Sequence, residues 1–537
     1  MCNTHHNKIK QNNAGCNHQD HKKWNRRSFL QALGMVGGGA VTFANTALSV
    51  VKPSPLSVAL NESETDRVLI LIRLKGGNDG LNTIVPINQY DTYANARPSI
   101  RIKEDQLFNL DSNFGMPNYA QKLERMWGDG KMKVVHGVGY NDSSLSHFKG
   151  SDIWASSDVT RTQNNGWLGR YFENLYPDYL VNPPEKPVAI QIGSNGNLIF
   201  EGDDLNFAFS AADPKKLFDI AQNGTLYDFD NLPDCTYGEK VGFLKGVANT
   251  TFTYAGVINE AYEKSNDYGD YPDNNLSRQL SIISRLIKGN LGTKVYLVTI
   301  GSFDTHNDQP NRHQELISQL TETISYFYED LGDAGWDDKV VAMTISEFGR
   351  RVKQNGSNGT DHGTAAPVML FGKGLEGNGF IGEHPDLTQL TKNGDMTHSV
   401  DFRQLYASVM KEWLCIDENL VKQVLLGEEY ESLDLGFSCS SSIENPITDN
   451  EQIFEHLVTY SENQSFLHIT NTKSAHVDIS LYNLTGQKVA TLRNEVMIEG
   501  KHIINIKEAS KTNLAEGFYA YRIVTNKKKY SKPVMIL

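Results

Sequence analysis

The chain has 537 residues, 39% of them hydrophobic and 21% charged, which suffices for a buried core and is too apolar for a disordered chain. Its 51 Lys and Arg against 64 Asp and Glu leave a formal charge of −13, which repels a phosphate backbone and speaks against nucleic-acid binding. No apolar run reaches the roughly 18 residues of a membrane span, so a multi-span membrane protein is excluded.

Residues 1–24 are polar. Arg26-Arg27-Ser28-Phe29-Leu30 follows, then a mildly apolar Gly- and Ala-rich stretch to about Ala47. A basic segment before a weak apolar one reads as an export signal, and the paired arginines with Phe-Leu resemble the twin-arginine signal. Residues 1–60 are taken as this leader. Of the five cysteines, Cys2 and Cys16 fall in it. Cys235, Cys415 and Cys439 remain, an odd number at wide spacing, which is not a disulfide framework. Cys415 lies on an apolar helical face and reads as core packing.

From residue 61 to 439 the texture is α/β. Near-continuous apolar runs at Val68–Leu74, Lys133–Val135, Pro187–Ile192, Val295–Ile300, Val340–Ile345 and Pro367–Phe371 read as parallel strands buried on both faces. Helical spacing joins Leu276, Leu280, Ile283 and Ile287, stopped at Gly289. It recurs at Leu316, Leu320, Ile324 and Leu331, and at Leu405, Val409 and Trp413. The expectation is an open, mostly parallel sheet with helices on both faces. Residues 200–275 interrupt it as an insertion or cap. Residues 440–447 are a Ser-rich linker. From 448 to 537 short alternating strands (Val477, Ile479, Leu481; Tyr519, Tyr521, Ile523; Val534, Ile536) predict a small β-sandwich.

In an open α/β sheet ligands bind beyond the carboxyl ends of the strands. Those ends carry Gly76-Gly77-Asn78-Asp79, His136, Ser143-Ser144-Leu145-Ser146-His147, Asp304-Thr305-His306 and Ser346-Glu347-Phe348-Gly349-Arg350. Thr360-Asp361-His362 precedes the last strand. Each has a plain reading: Asp79 as a turn former, Ser146 as a helix N-cap, His136 as structural, Glu347 as a partner of Arg350 or Arg351. Their gathering on one rim points instead to a divalent metal. Carboxylate with imidazole suits Zn, Mn or Fe, and carboxylate alone suits Mg or Ca. Two such ions roughly 3.5–4 Å apart would clamp the oxygens of a displacement at phosphorus or sulfur.

At these residues the chain resembles domain-of-unknown-function family 1501, whose members carry twin-arginine signals. The matching stretches include LKGGNDGLNTIVPI (74–87), SHFKGSDIWASS (146–157), GSFDTHNDQ (301–309) and MTISEFGRRVKQNGSNGTDHGTAAPVMLFGKG (343–374). That family is similar to the alkaline phosphatase and sulfatase superfamily. The resemblance implies a metal-dependent hydrolase fold with Ser146 as nucleophile. It implies Asp79, Asp304, His306, Glu347 and His362 as metal ligands, with His313 an alternative to His306. Arg350 or Arg351 would hold substrate oxygens. The chain departs from the superfamily where Glu347-Phe348 replaces the usual Asp-His.

The stretch Ser480–Val489 with Leu514–Tyr519 resembles the type A sorting domain of the type IX secretion system. The expected partners are therefore the twin-arginine translocase, the type IX machinery and a small phosphate or sulfate ester. The expected destination is the cell surface or medium, by way of the periplasm. The alternative function is a surface binding or structural protein on a degenerate hydrolase fold.

Overall fold

A computed structural model describes residues 66–439 and 454–536, apart from 177–178, 180–182, 194–195, 204, 212–226, 228–235, 267, 270, 376, 378, 438, 462–463, 484–487, 513, 516 and 526–528. The expected leader and linker lie outside the described residues. The chain divides into two compact units, one of Val68–Gly169 and Tyr179–Phe402, the other of Arg170–Asp178 and Arg403–Leu537. The division falls after Phe402, upstream of the Ser-rich stretch.

The strands of the first unit that bear on the site are β1 (Val68–Leu74), β2 (Met132–Gly139), β3 (Ala189–Ile192), β4 (Ala208–Ser210), β5 (Val295–Ile300), β6 (Val340–Ser346), β7 (Gly349–Gln354), β8 (Thr360–Gly363), β9 (Ala366–Phe371), β10 (Gly379–Ile381) and β11 (Val400–Asp401). The helices that matter here are α1 (Gly80–Thr83), α2 (His147–Ser156), α3 (Thr236–Glu263), α4 (Asn275–Lys288) and α5 (Gln309–Asp333). The main sheet has the order β10-β2-β9-β6-β1-β5-β3-β4, with β11 also on β2. Leu69, Ile70, Leu71 and Ile72 of β1 are all fully buried, as a strand covered on both faces requires.

One expectation needs correcting. The Pro367–Phe371 strand, read as parallel, runs antiparallel to both β2 and β6. The cause is the hairpin β7–β8, which pairs Gly349 with Gly363 and Arg350 with His362. It sends the chain back into the sheet from the rim where it left. The region 200–275, expected as an insertion or cap, contains the 28-residue helix α3. That helix buries Tyr254, Ala255 and Ile258 completely.

Register fixes the rim. Leu74 at the end of β1 is level with Ile300 of β5 and Ser346 of β6. The loops after these three strands therefore leave the sheet side by side, and β9 enters it at the same edge.

The second unit carries two antiparallel sheets. One joins β12 (Phe454–Ser461), β13 (Gln464–Asn471) and β16 (Gly500–Asn505); the other joins β14 (Ala475–Tyr482), β15 (Lys488–Met497), β17 (Gly517–Thr525) and β18 (Lys529–Ile536). Leu467, Ile469 and Ile504 of the first pack with Ile479, Leu481, Ile523 and Ile536 of the second into one core. That shared core is the expected sandwich. Cys415, expected as core packing alone, is disulfide-bonded to Cys439, 24 positions later. The odd cysteine count concealed the pair. No helix among the described residues is long and apolar enough to cross a membrane.

Candidate metal centre

The loop after β1 approaches its neighbours closely enough to require glycine. A Cβ on Gly76 (φ 120°) would lie 2.4 Å from the Asp304 amide nitrogen. One on Gly77 (φ 88°) would lie 2.6 Å from the Phe348 ring. Arg350 ties the same loops from below. Its Nε donates to the Gly77 carbonyl at 2.9 Å and its Nη1 to the Thr360 carbonyl at 2.9 Å. Its Nη2 reaches the Gly76 carbonyl, the Phe303 carbonyl (3.0 Å) and Asp304 Oδ1 (2.7 Å). The Arg350 side chain is wholly buried, where it braces the rim.

Asp304 is the centre of the cluster. Its Oδ1 lies 3.1 Å from His306 Nε2 and 3.2 Å from His362 Nε2; its Oδ2 lies 3.4 Å from His147 Nε2. Burial raises the Asp304 pKa, but the hydrogen bond and charge of Arg350, with the neighbouring imidazoles, outweigh it and bring the group to about 2. It is a carboxylate at any physiological pH.

Each imidazole is held from outside by its other nitrogen. His362 Nδ1 donates to the Leu145 carbonyl at 2.7 Å. His147 Nδ1 lies 2.6 Å from Glu347 Oε2, and His306 Nδ1 lies 3.3 Å from Asp361 Oδ1. A neutral imidazole has one N–H, and these acceptors claim it at Nδ1. The three Nε2 lone pairs then face inward. His306 Nε2 and His362 Nε2 are only 2.9 Å apart, which two bare lone pairs tolerate only with a proton or a cation between them. Burial lowers the His362 pKa, which disfavours the proton. His147, Asp304 and His362 each offer a ligand atom within 4.8 Å of the others. The donor set of imidazoles plus a carboxylate, with outer acceptors fixing the rings, fits a transition metal.

The structure brings Asp304, His306, His362 and Glu347 together. Glu347 stands behind His147, where its Oε1 accepts from Arg73 Nη2 at 3.2 Å and its Oε2 holds the imidazole. It holds His147 rather than facing the cluster centre. Ser146 is exposed at the N-cap of α2, and its hydroxyl makes no capping bond. Asp79 is not brought to the cluster. Its carboxylate caps α1 through the Leu81 and Asn82 amides, takes Arg97 Nη1 on both oxygens (2.9 and 2.7 Å) and accepts from Gln309 Nε2. It is the fully buried half of an ion pair. His313 is also buried, 3.2 Å from Asn78 Oδ1, and burial drives its pKa down to about 4.

His147 was absent from the expected ligands. It stands directly after Ser146 in the Ser-Ser-Leu-Ser-His run, so the signal was present, but the helix-cap pattern drew the reading to the serine. Arg97 carries no motif, and nothing in the sequence pairs it with Asp79.

The described fold is an α/β protein with a mostly parallel sheet and a rim cluster, followed by a β-sandwich. Residues 244–429 match the family described as a protein of unknown function, DUF1501. Residues 463–537 match the secretion system C-terminal sorting domain, which marks a chain carried by the type IX machinery to the cell surface or medium. The first match spans Asp304, His306, Glu347, Arg350 and His362, but not Asp79, Ser146 or His147. No curated protein matches the chain. Among solved structures it is similar to alkaline phosphatase from the Antarctic bacterium TAB5 (11% identical over 68% of this chain and 99% of that one, TM-score 0.28). It is similar to a protein in the alkaline phosphatase superfamily from Vibrio parahaemolyticus (7%, 88% and 82%, 0.29) and to the lipoteichoic acid synthase of Listeria monocytogenes (9%, 86% and 91%, 0.29).

Proposed function

We propose that the chain is an exported, metal-dependent hydrolase of a small anionic ester, a phosphate or a sulfate. The observation that carries this reading is the convergence of three imidazole Nε2 atoms on Asp304, each ring tied outward at Nδ1. The ligands are His147, Asp304, His306 and His362, and the donor set favours zinc, manganese or iron over magnesium or calcium. Such an ion, when bound, supplies Lewis-acid stabilisation of charge on the ester oxygens.

The remaining roles belong to this chain's own groups. Arg350 keeps Asp304 ionised and in place. Glu347, itself held by Arg73, fixes the His147 tautomer. Ser146 Oγ is the nucleophile: it forms the bond to phosphorus or sulfur, the ester alcohol leaves, and water then frees the anion from the serine. The twin-arginine leader delivers the chain to the periplasm, and the tail takes it onward.

A second reading, a surface-binding protein on the same fold, is favoured by one observation. Arg97 closes Asp79, so one of the two expected cation positions loses its ligand. Hydrolysis of aryl phosphates and aryl sulfates by wild type and by Ser146→Ala separates the readings. Turnover that the serine variant loses supports the hydrolase. Absence of turnover by the metal-loaded wild type on both ester classes sinks it in favour of binding.

A further inference from the structure

Two short segments, 304–306 and 360–362, supply three of the four ligands, and both are stitched to one buried amide. Gln309, the first residue of α5, is fully buried. Its Oε1 accepts from Thr305 Oγ1 at 3.1 Å and from Thr360 Oγ1 at 2.6 Å. Its Nε2 donates to Asp79 Oδ2. Asp79 is itself fixed by Arg97 and two backbone amides, so the far end of Gln309 has a rigid anchor. The segments are also joined directly: the Thr360 amide donates to the Thr305 carbonyl at 3.2 Å. Asn355 Nδ2 reaches both the His306 carbonyl (2.9 Å) and Asp361 Oδ1 (3.3 Å).

We infer that Gln309 is a positioning residue that sets the 304–306 and 360–362 segments in register for metal binding, with the buried Asp79–Arg97 pair as its anchor. The inference rests on the metal reading above. Its physical basis is that a side-chain amide combines an acceptor able to take two hydroxyls with a donor able to meet a carboxylate. Methionine keeps the volume and loses both functions. A ligand pair whose separation is set by two such hydrogen bonds widens when they go, and metal affinity falls with it.

The test uses the full chain and zinc, titrated in competition with a chromophoric chelator, together with amide hydrogen exchange of the metal-free protein. Gln309→Met and Thr360→Val are expected to weaken zinc binding by about 10- to 100-fold. Thr360→Ser, which keeps the hydroxyl, is expected to hold wild-type affinity. In the metal-free state, peptides spanning 304–306 and 360–362 should exchange faster in Gln309→Met and Thr360→Val, with α4 unchanged. Folded Gln309→Met with wild-type affinity and exchange would overturn the inference. Should Gln309→Met not fold, equal behaviour of Thr360→Val and Thr360→Ser overturns it as well. A wild type that takes up none of zinc, manganese and iron refutes the metal reading instead, and the exchange comparison then judges the positioning role alone.

Discussion

The Asp79–Arg97 pair gives the most exacting test of the reasoning. Both side chains are fully buried. Arg97 Nη1 also meets Asn82 Oδ1 at 2.8 Å, Nε meets the Val352 carbonyl at 2.8 Å and Nη2 meets the Arg351 carbonyl at 2.9 Å. Arg97→Met keeps much of the volume but leaves a buried carboxylate without its counter-ion, which costs about 3–5 kcal/mol. The sign of the pH effect follows. Burial alone raises the Asp79 pKa; in the wild type the Arg97 charge, with help from His313, and hydrogen bonds from Arg97 and Gln309 bring it below the ordinary value. The pair's contribution is therefore complete above the unfolded carboxylate pKa and is lost as pH falls through the lower folded one. Without Arg97 the burial effect dominates, the folded pKa rises, and protonation relieves the variant as pH falls. Urea unfolding followed by tryptophan fluorescence at pH 7.5 and 5 should show a large penalty at the higher pH and a smaller one at the lower. Adding Asp79→Asn should restore much of the loss. A penalty below about 1 kcal/mol, the scale of an exposed pair, or one independent of pH, would refute the assignment of Asp79 to a buried ion pair.

Cys415→Ser opens a loop closed across 24 positions, and chain entropy sets the loss near 3.5 kcal/mol; unfolding of the second unit with and without reductant should show the difference only in wild type. His136 is 2% exposed and burial, with the neighbouring His384, lowers its pKa to about 3. Its stabilising effect is whole above the unfolded value of about 6.5 and fades as pH falls toward 3. His136→Phe should accordingly reduce the slope of stability against pH between 6.5 and 4.5 by about 1.4 kcal/mol per unit, and an unchanged slope would contradict the buried neutral state. Deleting 448–537 removes a sandwich that has its own core, so the first unit should stay folded and be retained in the periplasm; fractionation showing it still at the surface would contradict the sorting role.

Much of this architecture was legible because buried parallel strands write themselves as unbroken apolar runs. Val68–Leu74 and Val295–Ile300 were read to the residue. Strand direction is not written that way, and β9 reversed because of a hairpin whose sequence is polar. In β13 the inward positions are Ser465, Leu467, Ile469 and Asn471, so polar ends disguised the alternation. The rim was predictable from topology, and Asp304, His306 and His362 came with it. Which carboxylates face the cluster was not, because that depends on cations far away in sequence. Arg97 claims Asp79 across 18 positions and Arg73 claims Glu347 across 274.

The proposed transition-metal centre is a single site built on His147, Asp304, His306 and His362. The most direct measurement is the metal content per chain of protein exported under metal-replete conditions and purified without chelators. The account predicts close to one zinc, manganese or iron per wild-type chain and loss of that ion in Asp304→Ala and His362→Ala. A wild type without stoichiometric metal, or an ion that His362→Ala leaves in place, would contradict it.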